Sequence, residues 1–338
     1  MAPNLSAMYL SAQLTTWFGK LSGRTRWDPK GKHCYITGGS SGLGLALAIR
    51  LVKLGAHVSI VARNKKRLHE ALEKIEEMRQ TPDQILASYS FSVTELEPAA
   101  AALDAASELH GGRCPDALFL CAGGPSPKFF LEHDEASMKK GMDDAYWAQA
   151  LSALEGAKRM VKENIQGKII FISSFLGYMS MIGFSSYASG KFALRGLAET
   201  LRSEFLLYGI TVHVFFPGNM LTPGLEAENR TKPKIVLKLE ETDTGQTAEH
   251  AAEGLLQGIF RGDFHITNDL LGNIFRSSTR GATPRNGLFL DEIYTFFGWV
   301  GLPIWRRITD STIKGHQEEH HAYLKETGFL AESSDPDM

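Results

Sequence analysis

Short runs of apolar residues alternate along the chain with longer stretches in which apolar residues recur at helical spacing. We interpret the short runs as β-strands and the stretches with a period near 3.6 residues as amphipathic helices. The predicted strands are 33–36, 56–62, 86–91, 117–120, 168–172, 211–216 and 264–267. The predicted helices are 45–54, 65–79, 95–110, 137–163, 186–207 and 248–261. This alternation predicts an α/β fold: a single Rossmann-type, doubly wound parallel sheet of about seven strands with helices on both faces.

The same pattern divides the chain into one folded unit and three flanking parts. The Rossmann-type unit is predicted for residues 31–285, after an N-terminal extension, 1–30, whose amphipathic stripe we expect to dock on protein. Within the unit, residues 219–246 are polar with little strand pattern, and we interpret them as a mobile lid over the substrate. An apolar segment, 286–308, and a polar tail, 309–338, follow.

The apolar segment contains the run IYTFFGWVGLPIW at 293–305. A transmembrane helix needs about 20 apolar residues, so this run is too short to span a bilayer, and Pro303 is expected to disturb a straight helix. Its tryptophans and the following Arg306 and Arg307 are typical of a segment in the membrane interface. The alternative is a buried contact between subunits. The fold prediction therefore includes a C-terminal apolar segment that associates with a membrane.

A glycine-rich turn, TGGSSGLG at 37–44, joins the first predicted strand to the first helix. Glycines there allow a tight turn and a close approach of phosphate, and the helix N-terminus supplies free N–H groups for a pyrophosphate. The flanking strand and helix make the motif more specific than glycines alone. The candidate cofactor contacts are Gly38, Ser40, Ser41, Gly42, Leu43 and Gly44.

The second strand ends at Arg63, where a dinucleotide fold meets the adenosine ribose. An acidic residue at this tip would bind the 2′-hydroxyl of NAD, whereas an arginine pairs with a 2′-phosphate. Arg67 follows within reach. We therefore expect NADPH as the cofactor, and the alternative is that 63–67 is a solvated basic helix start.

The fifth strand delivers Ser173 and Ser174 at its C-terminal end, and the next helix carries Tyr187 and Lys191 four residues apart. Positions i and i+4 share a helix face, so Lys191 is expected to lower the pKa of the Tyr187 phenol. Such a phenol can protonate a developing alkoxide, and either serine can hold the carbonyl oxygen. A tyrosine and a lysine at this spacing also occur by chance on many surface helices.

Two further turns complete the predicted cofactor site. The fourth strand runs into Ala122 and Gly123, and the sixth stops at Pro217 and Gly218. The second turn is expected to close over the nicotinamide side, with the hydroxyl of Thr222 available to its amide.

Charge and cysteine content exclude several other classes of protein. The net charge of −2 gives no reason to expect a nucleic-acid partner. The three cysteines include no C-x-x-C pair, so a disulfide framework or a zinc site is not expected and a reducing compartment fits. His316 and His320 are four residues apart, but Gln317 breaks the H-E-x-x-H pattern. We therefore predict no metal site.

Taken together, these motifs resemble the short-chain dehydrogenase/reductase family over roughly Gly31 to Leu270. The residues that carry the resemblance are Thr37, Gly38, Gly42, Gly44, Ser174, Tyr187, Lys191, Pro217 and Gly218. Within the family the chain looks most like the 3-ketodihydrosphingosine reductases. The stretches concerned are 37–44, VARN at 61–64, FALRGLAE at 192–199, TPGLEAENRTKP at 222–233 and the apolar run.

This resemblance implies an NADPH-dependent reductase of sphingolipid synthesis. It would reduce the ketone of 3-ketodihydrosphingosine, a long-chain amino ketone, to give dihydrosphingosine. It implies a position on the cytosolic face of the endoplasmic reticulum membrane and assembly into dimers or tetramers. Two alternatives remain: a reductase of another lipophilic carbonyl (a steroid, retinoid or β-ketoacyl group), and a catalytically silent NADPH-binding regulatory protein.

Three positions depart from the family pattern. Ala145 stands where the family commonly has an asparagine that supports a proton relay below the lysine, and an alanine side chain has no donor or acceptor for this. Cys121 stands where Asn-Ala-Gly would begin, and Ser92 where an aspartate often binds the adenine. The relay must therefore use another group, or proton delivery is slower.

Overall fold

A computed structural model describes residues 27–330. Almost all of the predicted N-terminal extension, with its amphipathic stripe, and the last residues of the tail lie outside the described residues.

Within residues 27–330, nine strands form two parallel sheets. They are β1 His33–Thr37, β2 His57–Ala62, β3 Leu86–Ser90, β4 Ala117–Leu120, β5 Lys168–Ile172, β6 Thr211–Phe215, β7 Met220–Leu221, β8 Gln246–Thr247 and β9 His265–Ile266. The main sheet has seven strands in the order β3-β2-β1-β4-β5-β6-β9, and every neighbouring pair is parallel. The predicted parallel, seven-stranded α/β sheet is therefore confirmed.

The helices follow the strands in alternation. They are α1 Gly42–Lys53, α2 Lys65–Glu76, α3 Leu96–Glu108, α4 Glu135–Met142, α5 Ala148–Lys162, α6 Ser185–Glu204, α7 Pro223–Asn229, α8 Lys234–Leu239, α9 Ala248–Arg261, α10 Leu270–Ser278, α11 Leu288–Gly315 and α12 Gln317–Glu326.

Successive strand residues point to opposite faces of the sheet, and each face is covered by helices. Tyr35 packs with α3, α5 and α6, whereas its neighbour Ile36 packs with α1, α2 and α9. Both side chains are fully buried, and burying one large apolar side chain stabilises the fold by about 1.5–3 kcal/mol. The two clusters on either side of the sheet form the core.

The strand order reverses at β1, which lies between β2 and β4. The connections after β1 and β4 therefore leave in opposite directions and open a crevice at the carboxyl ends of the strands. The glycine-rich turn follows β1, and the predicted catalytic residues follow β5, so both meet at this edge.

The prediction of one continuous helix over 137–163 is wrong in one respect. A π-helical turn, Asp143–Trp147, separates α4 from α5. The wider turn shifts the phase of the side chains, which a period of 3.6 residues does not reveal. This turn lies against α6 through Ala145.

Residues 219–246, predicted to have little strand pattern, contain β7, α7, α8 and the start of β8. The two strands have two residues each, which is too short for a detectable period of two. Thr222 begins α7, because its Oγ1 accepts a hydrogen bond from the Leu225 N–H and Pro223 occupies the first turn.

The C-terminal helix α11 crosses the predicted boundary at 308 and includes Pro303. Pro303 does not end the helix, which continues to Gly315, and the predicted polar tail is helical through most of its described length. α11 docks on α10 through a buried pair between Arg276 and Asp291, with N–O distances of 2.6 and 2.9 Å. None of the helices in residues 27–330 is long and apolar enough to cross a membrane.

Candidate active site

A cavity of about 1150 Å³ opens at the carboxyl edge of the main sheet. It brings together every residue predicted for the site. These are Gly38, Ser40, Ser41, Gly42, Leu43, Gly44, Arg63, Arg67, Ala122, Gly123, Ser173, Ser174, Tyr187, Lys191, Pro217, Gly218 and Thr222. Residues far apart in the chain therefore share one solvent-accessible space.

The glycine-rich turn fits the phosphates of a dinucleotide. Gly38 and Gly42 have φ of +67° and +53°, which side chains other than glycine rarely adopt. A Cβ on Gly44 would collide with the Gly38 carbonyl. Ser41, at the start of α1, makes no side-chain hydrogen bond to the first turn, so the N–H groups there have no side-chain cap. Such a helix start is an anion site.

Positive charge stands at the rim of the cavity next to this turn. Arg63 follows β2, and Arg67 lies one turn into α2. The Asn64 side chain accepts a hydrogen bond from the Arg67 N–H at 3.0 Å and begins α2 directly after Arg63. No acidic residue stands at the end of β2, where Ala62 is followed by Arg63.

The two adjacent serines have different surroundings. Ser173 is buried, and its hydroxyl donates to the Lys191 carbonyl at 3.4 Å. Ser174 accepts a hydrogen bond from the Leu176 N–H at 3.2 Å, and its side chain also interacts with the Tyr187 hydroxyl. Of the two serines, Ser174 is therefore the one whose side chain interacts with the phenol, whereas the Ser173 hydroxyl is bonded to the Lys191 carbonyl.

Lys191 is 3 % exposed, and its terminal ammonium group holds the side chain in place. Its Nζ donates to the Ile172 carbonyl at 2.8 Å and lies 5.3 Å from the centre of the Tyr187 ring. One turn of α6 thus carries both residues on the same side, as their spacing predicts.

The predicted lowering of the Tyr187 pKa is wrong. Burial raises the pKa of Tyr187 above its ordinary value, and the negative charge of Glu228 raises it further, whereas the interaction with Ser174 lowers it. Burial also lowers the pKa of Lys191 to about 7. Desolvation of the charged form is the largest cause of both pKa shifts. Tyr187 is therefore a protonated phenol near neutral pH.

Gln149 is a site residue that the sequence analysis missed. It is fully buried, lines the cavity and clamps one peptide group of β5. Its Nε2 donates to the Ile172 carbonyl at 2.8 Å, and its Oε1 accepts from the Ile172 N–H at 2.9 Å. The Ile172 carbonyl thus accepts hydrogen bonds from both Lys191 and Gln149. The available signal was a glutamine one turn after Ala145 on a mostly apolar buried face.

A second missed group is an ion cluster in the segment after β6. The Lys232 ammonium is 3.0 Å from Glu228 Oε1 and 2.6 Å from Glu240 Oε2. Both carboxylates line the cavity. The sequence signal for this cluster was the charged stretch at 226–232. Its composition is typical of a solvated segment, but the Lys232 side chain is completely buried in the fold.

The opposite wall of the cavity is apolar. Phe275, Leu302 and Trp305 contribute to it, and Trp305 packs edge-on against Phe275 with ring centres 5.8 Å apart. Leu302 and Trp305 belong to α11, so the apolar run predicted at 293–305 forms part of this wall.

Comparison with known proteins agrees with this geometry. A family model described as short chain dehydrogenase matches residues 32–233, which is more than half of the chain. The chain belongs to the short-chain dehydrogenase family. The family and the Rossmann-type sheet together imply a nicotinamide cofactor, so the protein is an oxidoreductase.

Curated relatives within this short-chain dehydrogenase family are named 3-ketodihydrosphingosine reductase. The protein from Cryptococcus neoformans var. neoformans serotype D is 42% identical over 306 residues, covering 90% of this chain and 91% of the relative. The Mus musculus protein is 34% identical over 255 residues, covering 75% of this chain and 76% of the relative. This is the group that the sequence resembles, which confirms the resemblance.

A solved structure shares the fold. The crystal structure of levodione reductase superimposes with a TM-score of 0.63 at 22% identity, covering 71% of this chain and 96% of that protein. At this identity the similarity supports the fold of the short-chain dehydrogenase and not a substrate.

Proposed function

We propose that this short-chain dehydrogenase reduces the ketone of 3-ketodihydrosphingosine to dihydrosphingosine with NADPH. The observation that carries the proposal is one cavity that joins the glycine-rich turn, the Ser174, Tyr187 and Lys191 side chains and an apolar wall. The names of the curated relatives support the choice of a long-chain amino ketone.

The preference for NADPH rests on the basic rim. In this proposal the first-turn N–H groups of α1 hold the pyrophosphate, and the Arg63 and Arg67 guanidinium groups bind the 2′-phosphate. When bound, NADPH supplies the hydride that goes to the carbonyl carbon, and it leaves as NADP⁺.

The chain's own groups handle the oxygen. Tyr187, protonated at neutral pH, gives its proton to the carbonyl oxygen as negative charge develops there. The Ser174 hydroxyl donates a hydrogen bond to the same oxygen. Lys191, with a pKa of about 7, is held by the Ile172 carbonyl and exchanges protons at neutral pH, and its charged form stabilises the phenolate left behind.

Membrane contact through 293–305 is part of the proposal. Phe296 and Trp299 of this run are 60% and 75% exposed, while Leu302 and Trp305 of the same helix line the cavity. A lipid ketone can pass from an interface to the site along such a helix. The location on the cytosolic face of the endoplasmic reticulum membrane and assembly into dimers or tetramers complete the proposal.

Lipid extraction after incubation with NADPH and 3-ketodihydrosphingosine tests the reaction. We expect dihydrosphingosine from the wild type and less than about 1% of that rate from Tyr187→Phe, because general acid catalysis contributes roughly 10²–10⁴-fold. NADPH should bind this variant within about twofold of the wild type.

Retained turnover in Tyr187→Phe would remove Tyr187 as the acid. Reduction of steroid, retinoid or β-ketoacyl ketones in preference to the amino ketone would show that the proposed substrate is wrong. NADPH binding without turnover of any of these ketones would favour the alternative of a catalytically silent regulatory protein.

A further inference from the structure

Glu228 is one of the carboxylates that line the cavity. Glu228 lies near the end of α7, lines the same cavity as Tyr187 and keeps 11% of its side chain exposed. Its charge acts on the Tyr187 phenol, whose pKa it raises in addition to the effect of burial. Glu228 and Tyr187 therefore border the same space, which a substrate held at Tyr187 would occupy.

A continuous set of contacts fixes Glu228 in this position. The Lys232 ammonium, bonded to Glu228, lies 6.0 Å from the centre of the Phe184 ring. Phe184 in turn packs on Tyr187 with ring centres 6.3 Å apart. Phe184, Ile235 and Val236 are buried together under Tyr187. These contacts anchor α7 and α8, the short helices after β6, to α6, the helix that carries Tyr187 and Lys191.

The charges on this side of the cavity do not balance. Glu228 and Glu240 share the single ammonium of Lys232, which leaves one negative charge in excess when all three are ionised. Burial raises the pKa of Glu228, so its carboxylate lacks part of the solvation that it would have in water. The other lysine and arginine side chains lining the cavity are committed elsewhere: Lys191 donates to the Ile172 carbonyl, and Arg63 and Arg67 stand at the cofactor rim.

We propose that Glu228 binds the ammonium group of a 2-amino ketone and thereby selects this class of substrate. The inference rests on the function proposed above and adds the residue that recognises the amine. In a 2-amino ketone the carbon that bears the nitrogen is bonded directly to the carbonyl carbon. A carbonyl oxygen held at Tyr187 therefore brings the ammonium to the neighbouring carboxylate. A neutral ketone forms no such ion pair.

The ratio of kcat/KM for two ketones tests this recognition. One is the long-chain 2-amino ketone and the other is the ketone of equal length without the amine. We expect Glu228→Gln to lower kcat/KM for the amino ketone by roughly 10- to 100-fold, as for loss of a charged hydrogen bond, and to change that for the neutral ketone far less. A purely structural role would lower both equally and leave the ratio unchanged.

Glu226→Gln is the matched control, because Glu226 lies on the same helix as Glu228 but is exposed and does not line the cavity. We expect this variant to keep its preference for the amino ketone within about twofold of the wild type. An equal change of the ratio in both variants would contradict a specific role of Glu228.

A measurement on the wild type covers the case in which Glu228→Gln does not fold. Dodecylammonium should inhibit reduction of the neutral ketone about tenfold more strongly than dodecanol, and equal inhibition would overturn the proposal. A wild type that reduces neither ketone would instead overturn the proposed function itself. Reduction of the amino ketone with an unchanged ratio in Glu228→Gln would overturn only the role of Glu228.

Discussion

The Ile172 carbonyl joins two buried polar side chains, Lys191 and Gln149, at 2.8 Å each. Gln149 also satisfies the Ile172 N–H, so the peptide group that holds Lys191 is fixed on both its polar atoms. Ala145 packs directly against Gly190 and has no side-chain donor or acceptor with which to hold this peptide group. Gln149, one turn later, holds it instead. Gln149 is a positioning residue for Lys191.

Gln149→Leu should lower kcat about tenfold and leave the Kd for NADPH within twofold, because Lys191 loses its fixed acceptor while the phosphate turn is untouched. In Gln149→Glu the new carboxylate near Lys191 favours the ammonium form. The limb of the pH–rate profile that depends on Lys191 should therefore move to higher pH. Steady-state kinetics over pH measures both effects.

Ser152→Ala is the control for these variants. Ser152 is equally buried on α5, but its hydroxyl bonds only to the Ala148 carbonyl of its own helix at 3.1 Å. A loss of kcat in Ser152→Ala as large as in Gln149→Leu, or an unmoved pH profile in Gln149→Glu, would contradict the positioning role.

Arg63 decides cofactor preference in the proposed function. Arg63→Ala should weaken NADPH binding by roughly 10- to 100-fold and NADH binding by less than about threefold, because only NADPH carries the 2′-phosphate. Fluorescence titration with both cofactors measures the two Kd values. Equal losses would contradict the assignment, and Lys65→Ala, at an exposed position two residues away, is the control.

At the scale of elements, α11 has two different sides. One side docks on α10, where Gly298 leaves no room for a Cβ beside Ser278 and the Arg276–Asp291 pair is buried. The other exposes large apolar side chains, among them Phe289 at 77% and Trp299 at 75%. An exposed apolar patch of this kind marks an interaction site.

Trp299→Asp should reduce binding to phosphatidylcholine vesicles by at least about tenfold, because transfer of a large apolar side chain contributes about 1.5–3 kcal/mol. Co-sedimentation with vesicles measures the bound fraction. Leu207→Asp is the matched control, since Leu207 is 79% exposed but lies after α6. Equal binding of Trp299→Asp and wild type would refute membrane contact through α11.

At the scale of the whole molecule, three strands of the main sheet carry buried histidines. His33, His213 and His265 are at most 2% exposed. Burial lowers the pKa of each to about 3. The same groups have a pKa of about 6.5 in the unfolded chain. The unfolded chain therefore binds more protons below about pH 6.5, so these histidines reduce stability as the pH falls from about 6.5 towards 3.

His213→Asn should make the free energy of unfolding less dependent on pH, by up to about 1.4 kcal/mol per pH unit below pH 6. Asparagine can still donate to the Asp263 carbonyl, which His213 Nδ1 contacts at 2.7 Å. Urea unfolding at several pH values measures the slope. The exposed His69→Asn serves as the control, and an equal slope for His213→Asn and wild type would contradict the prediction.

The order of the strands and helices, the glycine-rich turn and the Tyr187–Lys191 face could all be read from the sequence, because each depends on spacings within a few residues. The same alternation, together with the family resemblance, predicts a doubly wound parallel sheet. For this reason the parallel sheet and the gathering of the predicted site residues at one edge were foreseeable.

Only the tertiary structure decided the surroundings of those residues. Gln149 shares the Ile172 carbonyl with Lys191, and Glu228 lines the same cavity as Tyr187. These elements are distant in the chain, and no local period encodes their arrangement. The direction of the Tyr187 pKa shift depends on desolvation, which is a property of the folded cavity. Local spacing thus determined which groups carry the chemistry, and long-range packing determined their charge and their partners.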